Sequence, residues 1–306
     1  MRFFISANIK ENRPLYYLVL AFLLLLLLYW LSSWFFFYSK YGFTYTSVFK
    51  YFFGDPSFPE RVSLSQLSED MHIETFLKAF YLLVLFSLFL LSSFSEKWKV
   101  SLIIISALFG LTEIASDLFI LYVSPFFIYI KLTSFFLFQI LSGIALFLTL
   151  IFFLFMGEDK ASGTSNIKLV LFLFSLFLLL FTFVNFLVFS SKMGFTFESV
   201  KSYYLGNPQI FAKPKTFEGM FKVFHPHLLS MAFYSLAVAH LLLFINSKGK
   251  FWLGLSLFVL SFLDNLAGFL VRFVHPELAI LKMLTFLLLQ AVLLYTSLLL
   301  LLHSRT

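Results

Sequence analysis

The sequence predicts an all-α integral membrane fold of eight spans, arranged as two parallel four-helix repeats. Three observations predict it. Of 306 residues, 61% are hydrophobic and only 12% charged, with 48 Phe, whereas soluble domains are about half apolar and a quarter charged. Apolar stretches recur along the chain with the ~20-residue length of a bilayer crossing. Most telling, SKYGFTYTSV at 39–48 returns as SKMGFTFESV at 191–200 with seven of ten positions identical, the mark of an internal repeat.

The first apolar stretch, 15–39, carries no charge and no small-residue cleavage site, so it reads as a retained span and not a signal peptide. Spans at 72–94, 98–123 and 125–156 complete the first repeat, which takes in residues 1–156. The polar segment GEDKASGTSNIK, 157–168, reads as a linker. The second repeat, 169–306, holds spans near 168–191, 225–247, 251–274 and 276–302. A transmembrane barrel is excluded, because its strands would alternate apolar and polar over about ten residues and these runs are uniformly apolar. The duplicated register extends through Gly54 and Gly206, His72 and His225, Glu113 and Asp264, Pro125 and Pro276, Lys131 and Lys282, and Gln139 and Gln290. Because the matches include rare polar residues, a common origin explains them better than composition does.

In each repeat a long first loop opens with an aromatic-basic stretch, SVFKYFFGDP or SVKSYYLGNP, expected to form a short helix on the membrane surface. Four helices per repeat return the chain to its starting side. The halves are therefore expected to share one orientation and to relate by a pseudo-two-fold along the membrane normal, as after fusion of a symmetric homodimer. Arg2, Lys10, Arg13, Lys97, Lys99, Lys160, Lys168, Lys248 and Lys250 fall on one side, expected to be the cytoplasmic face of a bacterial inner membrane. The net charge of +7 is spread without a basic block, which suits lipid headgroups and excludes nucleic acid as a partner. With no cysteine in the chain, disulfides, thiolate metal sites and covalent c-type haem are excluded.

Charges inside apolar spans need partners. Lys131 and Lys282 lie six residues beyond Pro125 and Pro276, about 9 Å below the rim. Asp117 sits at matching depth with Glu113 one turn below it on the same face. In the second repeat Gly268 replaces Asp117, which leaves Asp264 for Lys282, with Arg272 close enough to join. These pairs read either as part of an ion path or as buried salt bridges that fix helix register. Neither half displays in sequence the longer chain of titratable groups that a relay needs.

The run HPHLLSMAFYSLAVAH, 225–240, is read as the entrance of span six. His225 and His240 are about 22 Å apart along a helix, so no single ion takes both. His225 or His227 with His275, and Glu277 nearby, offers a metal site or the axial ligands of one b-type haem. The spacing resembles one helix of the membrane dihaem cytochromes b. That resemblance implies His72 facing His225 across the repeats as an axial pair, and it departs from the pattern at His240, whose aligned position in span two is Ser87. Capping and contact with interfacial water are the structural alternative.

The second half, with YYLGNPQIFAKPKTFEGMFKVFHPHL followed by an in-span histidine, resembles small four-helix bacterial membrane proteins that share a Gly-x-Pro loop and a His-Pro-His-Leu entrance. The first half departs from it at HIETF. The resemblance implies a tandem duplication of that unit and no particular activity. Nucleotide-binding loops and hydrolase or metalloprotease motifs are absent, which argues against a primary pump or a membrane hydrolase. Three functions remain. The first is a non-catalytic electron-transfer or anchoring subunit with one haem, partnered by membrane or periplasmic redox proteins. The second is a small-solute or ion carrier using the acid/lysine site, and the third is an assembly scaffold.

Overall fold

The computed structural model describes residues 9, 13–155, 167–243, 245 and 247–305. Arg2, Lys10, Lys160 and nearly all of the linker at 157–168 lie outside them. Among the described residues the chain is helical, with no strand beyond two isolated bridges at Asp55–Phe58 and Asn207–Ala212. Eight helices are long and apolar enough to cross a membrane. The chain divides into two compact units, residues 1–177 and 178–306.

In the first unit, α1 (Arg13–Tyr41) leads to the short α2 (Tyr45–Phe53), followed by α3 (Leu64–Leu90), α4 (Glu96–Tyr122) and α5 (Phe127–Phe155). The helix α6 (Ile167–Lys192) begins in this unit, where Phe174 meets the ring of Phe80 edge-on at 5.7 Å. The second unit takes the rest of α6 and adds the short α7 (Phe197–Leu205), α8 (Phe217–Leu243), α9 (Lys250–Phe273) and α10 (Ala279–Arg305). Its core around α7 consists of Phe189, Val200, Tyr204, Val271, Ala279 and Phe286.

The repeated decapeptide is a piece of helix-starting machinery. Gly42 and Gly194 turn the chain at φ +69° and +70°. Thr44 and Thr196 then cap α2 and α7: each hydroxyl accepts the amide of Ser47 or Ser199, whose own hydroxyl accepts the threonine amide, a reciprocal box that satisfies two orphan donors. Gly54 and Gly206, at φ +81° and +82°, end the same helices and return their amides to Lys50 and Ser202. The turns at the opposite end of the units are held by lysine. Nζ of the buried Lys99 donates to the carbonyls of Leu90 (3.0 Å) and Ser92 (2.9 Å), and Lys250 donates to those of Leu243 and Ile245, both at 3.0 Å. Each ammonium group thus caps the C-terminus of the preceding helix.

Two helix starts differ from the sequence expectation. The second span begins at Leu64, capped by Ser63, and not at 72. The sixth begins at Phe217, where Thr216 accepts the amide of Gly219, and not at 225. His-Pro-His is therefore not a helix entrance: Pro226 stands two turns inside α8. Apolarity alone places these starts too late, because the first turns of α3 are mostly polar and those of α8 are interrupted by Glu218 and Lys222.

Candidate functional site

At the α2 end of the first unit, four helices bring seven charged side chains into one chain of contacts. Their supply follows from helix periodicity: Asp70, Glu74 and Lys78 recur every fourth residue on α3, and so lie on one stripe. Lys40 ends α1, Glu113 and Asp117 are one turn apart near the end of α4, and Lys131 lies in the second turn of α5.

Lysines and carboxylates alternate. Nζ of Lys40 stands 3.1 Å from Asp70 and 3.3 Å from Glu74. Lys78 lies 3.3 Å from Glu74 and pairs closely with Glu113. Lys131 lies 3.9 Å from Glu113 and 2.5 Å from Asp117. Each lysine bridges two acids, and both ends of the chain are acids. Two tyrosine hydroxyls complete it: Tyr51 of α2 donates to Asp70 (2.5 Å) and Tyr41 donates to Glu74 (3.2 Å). The Asp70 side chain is 22% exposed, whereas Asp117 and Lys131 are fully buried. The site therefore runs from a partly exposed end into a buried interior, where charges interact strongly because water no longer screens them.

This corrects the reading that neither half carries an extended set of titratable groups. Of the network, the sequence reading singled out Glu113, Asp117 and Lys131. It missed Lys40, Asp70, Glu74 and Lys78, although the four-residue spacing on α3 was there to be seen.

The second unit keeps a reduced version. Lys282 stands 2.8 Å from the Asp264 carboxylate, donates also to the Asp264 carbonyl at 2.9 Å, and Thr285 donates to that carboxylate at 3.3 Å. In the repeat register Val223, His227 and Met231 stand where α3 has Asp70, Glu74 and Lys78. Met231 accepts a contact of 2.7 Å from Asn265. At Gly268, the counterpart of Asp117, an added Cβ would lie 2.8 Å from the Tyr204 hydroxyl. Arg272 does not join the pair; its Nε donates to the Lys215 carbonyl at 2.7 Å and so ties the α7–α8 loop to α9. The duplicated glutamines are both buried, with Trp30 donating to the Gln139 carbonyl at 2.9 Å and Asn185 to the Gln290 side chain at 3.1 Å.

The candidate histidines fall in both units. His72 lies on α3 of the first unit; His225, His227 and His240 are all on α8 and His275 precedes α10 in the second. Nδ1 of His227 donates to the Val223 carbonyl at 2.9 Å, and the His275 ring accepts the Glu277 amide at 3.3 Å, capping the turn that enters α10. Among the described residues no three His, Asp or Glu side chains gather as a metal site.

Fold and network together define a polytopic α-helical membrane protein built from two related units, one of which carries a buried network of seven charges and the other a single ion pair. The chain belongs to a family of transmembrane helical domains, whose pattern it matches twice, over residues 42–160 and 194–305. No curated protein and no solved structure matches it.

Proposed function

We propose that the chain is a small-ion carrier of a bacterial inner membrane and that the acid/lysine network of the first unit is its working site. One observation carries the reading: four carboxylates and three lysines alternate from a partly exposed mouth at Asp70 to a sealed end at Asp117. Structural salt bridges need only one partner each, whereas here every lysine is shared. Moving or neutralising one charge therefore changes the balance of its neighbours, which is how a relay responds to an arriving ion. Liposomes containing the purified chain, adsorbed on a solid-supported membrane and exposed in turn to jumps of pH, sodium, potassium and chloride, test the reading. The wild-type chain should give a transient current with at least one of these ions, and Lys131→Met should abolish it. Silence under all four jumps overturns the proposal.

A second reading, one b-type haem held by histidine with His72, His225, His227, His275 and His240 as candidates, draws support from His227. Because its Nδ1 donates to a carbonyl, the neutral ring keeps its lone pair on Nε2, the nitrogen that a haem iron takes. Redox proteins of the membrane or periplasm would then be its partners. A Soret band that moves on reduction supports this reading, and a colourless preparation removes it.

A further inference from the structure

We infer that the ion taken up by the first-unit network is a proton, one per chain, and that it rests on Asp117; this deepens the carrier reading and rests on it. The charge balance points there first. Fully ionised, four carboxylates face three ammonium groups, one negative charge in excess, which is costly wherever it is cut off from water.

The topology of the chain then locates that excess. Glu74 and Glu113 each lie between two lysines, whereas Asp70 and Asp117, at the ends, have one each. Asp70 is eased by water and by the Tyr51 hydroxyl at 2.5 Å. Asp117 is fully buried, and neither carboxylate oxygen receives a hydrogen bond of good geometry. A buried carboxylate in that state is stabilised by the Lys131 contact alone, so it is the group for which protonation relieves most. The surrounding titratable groups are Lys131 on α5, Glu113 on α4, Glu74 on α3, Tyr41 on α1 and Tyr51 on α2. Lys40 and Lys78 lie one contact further along.

A metal cation fits this place poorly, since three ammonium groups already occupy the gaps between the acids. A hydronium ion at Asp70 loses one O–H bond to become water, and each lysine along the chain gives a proton to the next acid and regains one from the acid before it. The net product is one new O–H bond on Asp117, now the neutral acid. The buried pair of the second unit balances, one lysine against one aspartate, with Tyr204 seated where the extra acid would stand. It holds no such proton.

Infrared spectroscopy of the reconstituted chain at neutral pH tests this through the C=O stretch of a protonated carboxyl group. The wild-type chain should show one such band; Asp117→Asn should remove it and Asp264→Asn should leave it. Should Asp117→Asn fail to fold, the pair Asp117→Asn with Lys131→Met removes both charges together and should also lack the band. A wild-type spectrum without the band, or a band that survives Asp117→Asn, overturns the inference. A band without ion currents keeps the proton and removes the carrier; currents without the band do the reverse.

Discussion

Lys282 and Asp264 form a closed pair, and a closed pair behaves differently from a shared one. Removing one partner leaves a buried charge alone, a loss of about 3–5 kcal/mol in general experience, while removing both is far milder. We therefore expect Lys282→Met to lower the unfolding temperature in detergent markedly and Lys282→Met with Asp264→Leu to recover most of it. Equal damage from the single and double variants would show that the pair contributes little. Asp55, outside the spans, allows a pH test. The Lys50 ammonium group, 2.7 Å away, and the Ser57 amide hold its carboxyl below the ordinary range, at about 2. A group lowered in the folded state stabilises above its unfolded pKa and loses that contribution as pH falls through its folded one. The loop contact should thus persist as the solution is acidified through the usual carboxylate range and weaken only near pH 2, which a carboxyl-carbon NMR titration of Asp55 checks. A midpoint in the ordinary range would mean that the contact is not formed in solution.

The short helices α2 and α7 depend on their glycine ends. An added Cβ would lie 2.3 Å from the Glu60 amide at Gly54 and 2.6 Å from the Ala212 carbonyl at Gly206, at φ values that only glycine adopts freely. Gly54→Ala and Gly206→Ala should each cost about 1–3 kcal/mol, read as a lower detergent unfolding temperature. Gly249→Ala, at a similar φ but in the left-handed helical region (ψ 4°) and with open space around its Cβ, should cost less than either. If all three changes cost the same, the crowding at Gly54 and Gly206 carries no weight. Elements also explain what the sequence could and could not disclose. The eight crossings and their order were legible because long apolar runs have no other use in a folded chain. The start of α3 was not, because hydropathy discounts Ser65 to Glu69, although Ser63 with Gln66 three residues on is a capping signal and Ser63 does accept the Gln66 amide. Starting that helix at 72 cut Asp70 from the stripe it shares with Glu74 and Lys78, and the network was lost with it. Lys99 has a second use that its charge alone did not disclose: it caps α3 from a fully buried position.

For the whole molecule, the side of the membrane on which the ends lie follows from the short connections, where the positive-inside rule has most force. Two kinds of turn can be compared at similar length. The α3–α4 and α8–α9 connections are followed or flanked by Lys97 and Lys99 in the first turn of α4 and by Lys248 and Lys250, whereas 123–126 and 274–278, which join α4 to α5 and α9 to α10, contain no lysine or arginine and are flanked within one turn only by Arg272 and Lys282. The segments around α2 and α7 include Lys50, Arg61, Lys201, Lys213 and Lys215 and pull the other way, while Arg2, Lys10, Arg13, Lys160 and Lys168 add to the charge on the side of the lysine-bearing turns. With eight crossings, both termini share one side, and the lysine-bearing turns lie on that same side. We therefore expect both ends in the cytoplasm and the mouth of the network at Asp70 and Lys40 facing the opposite compartment. A green fluorescent protein fused after Thr306 should fluoresce, and alkaline phosphatase at the same place should be inactive. The reverse pair of results would place the mouth on the cytoplasmic side, so that protons would reach Asp117 from within the cell. It would also show that the basic segments around α7 outweigh the four lysines of the short turns.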